Sequence, residues 1–101
     1  MKIEIVEFYP FKNQKPSIIR GTFHIKIIDL GFELRGIYGQ WNYKKNKVFF
    51  GFPWCGYTDR MTGRFCKVFP YLNIFDEKLR SDVFAVLYSQ GKEFMKKNLR
   101  G

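Results

Sequence analysis

From residue 18 to residue 28 apolar and polar side chains alternate. Ile19, Phe23, Ile25 and Ile27 fall on one side, with Gly21 among them, and Arg20, Thr22, His24 and Lys26 fall on the other. Period two predicts a strand with one face on a core and one polar face. Residues 2–9, rich in Ile, Val, Phe and Tyr, predict an earlier strand, which Pro10 confines to an edge or a strand end. Residues 12–17 read as a polar turn. Asp29, Leu30 and Gly31 make a tight connection to a strand over 32–38, so 18–38 reads as a hairpin. Residues 39–46 then read as a polar loop carrying Trp41 and Tyr43. Residues 47–52 are apolar almost throughout, which predicts burial on both faces or contact with a second subunit. Pro53 ends that strand, 53–64 reads as a long loop, and 65–69 reads as a short strand stopped by Pro70.

The period changes to helical from Ile74 to Lys97. Phe75, Leu79, Val83, Val86, Leu87 and Phe94 fit one apolar face, widened by Phe84, Tyr88 and Met95. Asp76 or Asn73 can cap the start, Asp76 and Glu77 suit the positive end of the dipole, and Lys92, Lys96, Lys97 and Arg100 suit the other end. Gly91 is a point where the helix can kink or end. Consecutive strands followed by a helix predict an α+β fold: a small antiparallel β-sheet of about five strands with a C-terminal α-helix packed on it. The 101 residues suffice for one domain over 1–101.

Composition narrows the classes. With 46% apolar and 20% aromatic residues the chain can build a packed core. No run of 18 apolar residues exists, and the start of the chain alternates charged and apolar residues rather than forming a leader peptide. A cytoplasmic protein without a membrane partner is expected, with Cys55 and Cys66 as reduced structural thiols. One histidine and two cysteines cannot supply a four-ligand metal site, and neither a P-loop nor a GxGxxG motif is present, so no metal and no cofactor is expected. His24 reads as a solvated strand residue, and Asp76, Glu77 and Asp82 are explained by the helix start. No catalytic residue is assigned, and the expectation is a protein that is not an enzyme.

Charge changes the picture most. Lys and Arg total 18 against 9 Asp and Glu, a formal net charge of +9. The excess is local: 12–26 carries +4, 39–67 carries +5, and the segment from 92 onward carries +3, while the rest is net acidic. Cations concentrated in loops and tail can hold a phosphate backbone. Aromatic residues are interleaved with them: Trp41 and Tyr43 precede Lys44 and Lys45, and Trp54 and Tyr57 precede Arg60 and Arg64. Rings between cations can stack on unpaired bases. The same rings could instead cover the core or a subunit interface, and for Trp54, directly after a buried strand, that second reading is preferred.

The order of these segments resembles the SpoVG (stage V sporulation protein G) family. The matching features are the strand Ile3 to Phe8, the long strand Ile18 to Ile28, and Phe32-Glu33-Leu34-Arg35-Gly36-Ile37. Val48-Phe49-Phe50-Gly51-Phe52-Pro53 follows, then Thr62-Gly63-Arg64-Phe65, a strand stopping at Pro70, and a helix with Arg80 and Val83. The chain is richer in Phe and Tyr than that family, notably over Phe50 to Cys55. The resemblance implies a small antiparallel sheet with a C-terminal helix, dimers formed through strand pairing, and regulation by binding DNA or RNA.

The expectation is therefore a homodimeric, non-catalytic nucleic-acid-binding regulator. Lys44, Lys45, Lys47, Arg60 and Arg64 would hold phosphates, Lys92, Lys96 and Lys97 would extend that surface, and Trp41 and Tyr43 would stack on bases. The alternative is an adaptor docking its basic face on an acidic protein partner. An enzyme using Cys55 or Cys66, or a membrane-surface protein, fits the residues less well.

Overall fold

A computed structural model of the chain describes residues 1–12, 14–70 and 72–97, with the backbone alone at 54–55 and 68–70. Four strands, β1 (Ile3–Pro10), β2 (Ile18–Ile27), β3 (Phe32–Asn42) and β4 (Lys47–Gly51), form one antiparallel sheet in the order β1-β2-β3-β4. A separate two-stranded hairpin follows, β5 (Trp54–Thr58) and β6 (Phe65–Pro70), and then one helix, α1 (Glu77–Lys96). The expected α+β class holds, with the six strands among the described residues divided between two sheets.

The alternation read in β2 sets the layers. Ile19, Phe23, Ile25 and Ile27 are buried on the face that α1 covers, together with Ile3, Ile5 and Phe8 of β1, Ile37 and Trp41 of β3, and Phe50 of β4. The helix meets them with Val83, Leu87, Gly91 and Met95, four residues apart each time, which makes one ridge along its surface. Gly91 does not break α1. A Cβ at that position would lie 2.8 Å from Phe50 Cζ, so the missing side chain is the space into which the Phe50 ring fits. Tyr88 closes the other side of that ring edge-on, with centroids 5.0 Å apart.

The Asp76 side chain accepts from the Leu79 backbone N–H at 3.1 Å, which satisfies one of the orphan donors of the first turn. Asp76→Ala should cost about 1 kcal/mol of stability, read as a lower midpoint in urea denaturation with an unchanged m-value. Phe75, just ahead of the cap, is 90% exposed and not part of the helical face. The helical period carries no information there, because the backbone at Asp76 is still extended.

Three other expectations are corrected. Residues 39–42 are not loop: β3 runs on to Asn42, pairing Trp41 with Ile19 and Val48. Residues 54–58 form β5, paired with β6. For the apolar run over 47–52, expected to be buried on both faces or to contact a second subunit, the first alternative fails: Phe50 points to the core, whereas Phe49 is 54% exposed on the opposite face. That strand is at the edge of the sheet, and α1 covers one side of it.

Topology also orients the helix. Its start lies by Phe32 and Leu34, next to the β2–β3 connection, where Leu72, Ile74 and Leu79 share an apolar groove with them. Its end lies by the β3–β4 turn, where Lys92 reaches Asn46. No helix among the described residues is long and apolar enough to cross a membrane.

Candidate nucleic-acid interface

The antiparallel meander places the β1–β2 and β3–β4 turns at one end of the sheet. The register fixes this, because Ile18 at the start of β2 pairs with Asn42 at the end of β3. The two turns touch: the Tyr43 N–H donates to the Ser17 carbonyl at 3.0 Å. The first turn is held by Gln14, whose side chain donates to the Arg20 carbonyl at 2.9 Å and accepts from the Arg20 N–H at 2.8 Å. In the second, Asn42 Oδ1 accepts from Lys45 N–H at 3.1 Å, and Asn46 takes the left-handed φ of 52°. Residues 11–17 and 42–47 carry Lys12, Lys15, Lys44, Lys45 and Lys47 and no acid. All five lysines are exposed.

The end of α1 joins this group. Lys92 Nζ donates to Asn46 Oδ1 at 2.8 Å and lies 5.8 Å from the centre of the Trp41 ring. Lys96 pairs with Glu93 at 3.1 Å, and Lys97 lies over the Phe94 ring at 4.7 Å. The structure thus brings Lys92 to Lys44, Lys45 and Lys47. Arg60 and Arg64 are exposed on a separate element, the β5–β6 turn. That turn is closed by hydrogen bonds between Asp59 and Gly63 and between Asp59 and Arg64, both at 2.8 Å.

The two expected stacking rings part company. Trp41 is 5% exposed and belongs to the core, with Nε1 donating to Asn46 Oδ1 at 3.4 Å and Tyr43 edge-on against it. Its ring has no face to offer a base. Tyr43 keeps 40% of its surface exposed beside the lysines.

Other rings occupy the sheet face that the helix leaves bare. Phe11, Tyr38 and Phe49 form a row across it, with successive centroids 6.1 Å apart. The Tyr38 hydroxyl donates to Gln40 Oε1 at 2.7 Å. Arg20 stands on the same face, since it pairs with Gln40, which in turn pairs with Phe49. The β5–β6 hairpin leans toward this face. Phe65 and Lys67 of β6, with Arg20, Tyr38, Phe49 and Phe52, line a cleft of about 540 Å³.

Alternation already contained this arrangement. Tyr38 and Gln40 share a side of β3, and Lys47 and Phe49 share a side of β4. The expectation that the apolar run over 47–52 was buried on both faces or met a second subunit hid it. That β6 would complete the cleft had no signal in the sequence, because it depends on how a separate hairpin packs.

His24 is not a solvated strand residue: it is 4% exposed. Between Phe23–Ile37 and Ile25–Leu34, His24 alone faces both Arg35 and Gly36, and Gly36 has a φ of 83°. Such a bulge bends the strands locally. The imidazole Nε2 donates to Glu33 Oε2, since a carboxylate can only accept. That bond, assisted by the nearby charges of His24, Arg35 and Lys26 and opposed by desolvation, holds the Glu33 carboxyl below the ordinary carboxylate range. A depressed folded-state value stabilises the fold above the unfolded-state value and loses that contribution as pH falls through the folded one. Wild type should therefore lose Tm on acidification more steeply than Glu33→Gln, with the two converging in acid, as thermal scans across pH will read.

Cys66 is half-buried, with its thiol 3.9 Å from the Arg64 carbonyl, whereas the Cys55 side chain lies outside the described residues. Among the described residues no three His, Cys, Asp or Glu side chains come together as a metal site would need. The class defined by this fold is a four-stranded antiparallel meander with one covering helix, a lysine-rich end and an aromatic open face. Comparison with known protein families, with curated proteins and with solved structures finds no match in any of the three.

Proposed function

We propose that the chain is a non-catalytic nucleic-acid-binding protein, similar in kind to the SpoVG regulators its segment order resembles. The supporting observation is the gathering of two acid-free turns, with five exposed lysines, at one end of the sheet beside Lys92. Lysines so placed meet a phosphate backbone without a competing internal anion, and each phosphate neutralised releases a counterion. Arg60 and Arg64 would add contacts from the second hairpin, and Lys96 and Lys97 from the helix end. The edges of the sheet, β1 and β4, are available for pairing with a second copy, and the homodimer is part of this proposal.

The test is a titration of labelled single- and double-stranded DNA and RNA with the full chain at low and high salt. Binding that weakens steeply with salt is expected. Failure to bind any of the four at low salt overturns the reading and favours the adaptor, for which the same lysines would dock on an acidic protein.

A further inference from the structure

The face of the four-stranded sheet opposite α1, toward which the β5–β6 hairpin leans, lies outside the buried core. Here it carries Phe11, Tyr38 and Phe49, and Phe65 reaches over it from β6. Phe49 and Phe65 are each 54% exposed, while the core they might have joined lies on the other side of the sheet. The cleft they line, at about 540 Å³, falls within the size of pockets that hold small organic groups. Among the described residues, the charged ones that line it are Arg20 and Lys67, both cations. Phe49 is on the same side of β4 as Lys47, so the cleft opens beside the lysine-rich end.

Rings beside a lysine-rich end complement one chemical unit: an unpaired base joined to a phosphate. Apolar partners would be met by rings alone, and an acidic protein would be met by the lysines alone. Bases inside a duplex keep their faces stacked on one another, so a ring can reach those faces only on a single strand. Resting on the nucleic-acid reading above, we infer that this cleft seats bases of single-stranded nucleic acid, with Phe49 and Phe65 as stacking partners and Tyr38 as the floor. Gln40 positions the Tyr38 ring through its hydroxyl. Lys47, exposed on the same side of β4 as Phe49, meets the phosphate beside the seated base.

The experiment measures fluorescence anisotropy of labelled oligo(dT), and of the same strand paired with oligo(dA), at one fixed low salt concentration. The full chain is compared with Phe49→Ala, Phe65→Ala, Phe49→Leu and Phe49→Tyr. Loss of one stacking ring should weaken single-strand binding by about 5- to 150-fold. Phe49→Leu should behave like Phe49→Ala, Phe49→Tyr should bind as wild type, and duplex binding, carried by the lysines, should be unchanged in all. Three results overturn the cleft while leaving the broader reading intact: alanine variants that bind oligo(dT) as wild type does, a Phe49→Leu variant with full affinity, or equal losses on strand and duplex. Absence of binding to both probes by the wild type overturns the broader reading and this one with it.

Discussion

Phe23→Ala should lower the free energy of unfolding by about 3–5 kcal/mol, the cost of emptying a buried aromatic site. Phe23 is fully buried, and its ring meets Phe8 at 4.8 Å and Phe50 at 5.6 Å between centroids. It therefore ties β1, β2 and β4 into one core under the helix. The ring fits because β3 carries Gly39 beside it: a Cβ there would stand 2.4 Å from Phe23 Cε2. Gly39→Ala should for that reason destabilise by about 1–3 kcal/mol through overpacking. The larger loss is a substantial part of the roughly 5–15 kcal/mol that holds a small domain together. Urea denaturation reads it as a midpoint shift. A Phe23→Ala variant within about 0.5 kcal/mol of wild type, the range of ordinary surface changes, would mean that the core is not built around this ring.

The same pair of residues shows what the sequence could and could not disclose. Phe23 sits in the clearest alternation of the chain, and its burial followed directly from period two. Gly39 sits in β3 where glycines weaken the strand signal, so the strand was expected to end at residue 38. Yet Ile37, Gly39 and Trp41 keep the alternation, and following it would have put Trp41 in the core. His24 was misplaced for another reason. Period two holds through β2, and the irregularities opposite His24 lie on the neighbouring strands, at Gly36 of β3 and between Ile5 and Glu7 of β1, where the β2 pattern carries no signal of them. The Asp76 cap and the Val83–Leu87 face of α1 were legible because they are local. The meeting of two lysine-bearing turns was not legible, since it depends on the pairing of residues 18 and 42.

Replacing Lys15, Lys44, Lys45 and Lys47 together by alanine should abolish most of the salt-sensitive binding. All four are exposed and none lies in the core, so the fold should persist, with an unchanged circular dichroism spectrum. On a single strand each neutralised phosphate contributes about 0.7 to the slope of log affinity against log salt, so four contribute roughly 3. For the wild type those four contacts alone correspond to a fall of about 50-fold between roughly 50 and 200 mM salt. The variant's slope should be shallower by roughly 3, with weaker binding at every low-salt point. Lys92 is kept in this variant because its bond to Asn46 holds the helix end against the β3–β4 turn. A slope equal to that of wild type would place the phosphate contacts elsewhere, with Arg60 and Arg64 on the second hairpin as the next cations to replace.

The central claim is one of place: nucleic acid lies over the lysine-rich end and the open, aromatic face of the sheet. Amide chemical shifts of the isotope-labelled chain, followed while short single-stranded DNA is added, test it most directly. The account predicts that the moving signals belong to the two turns, to β4 around Phe49 and to β6 around Phe65 and Lys67. The groove at the start of the helix, around Phe32, Leu34 and Leu79, should stay still. Shifts confined to that groove, or none at all, would contradict the account.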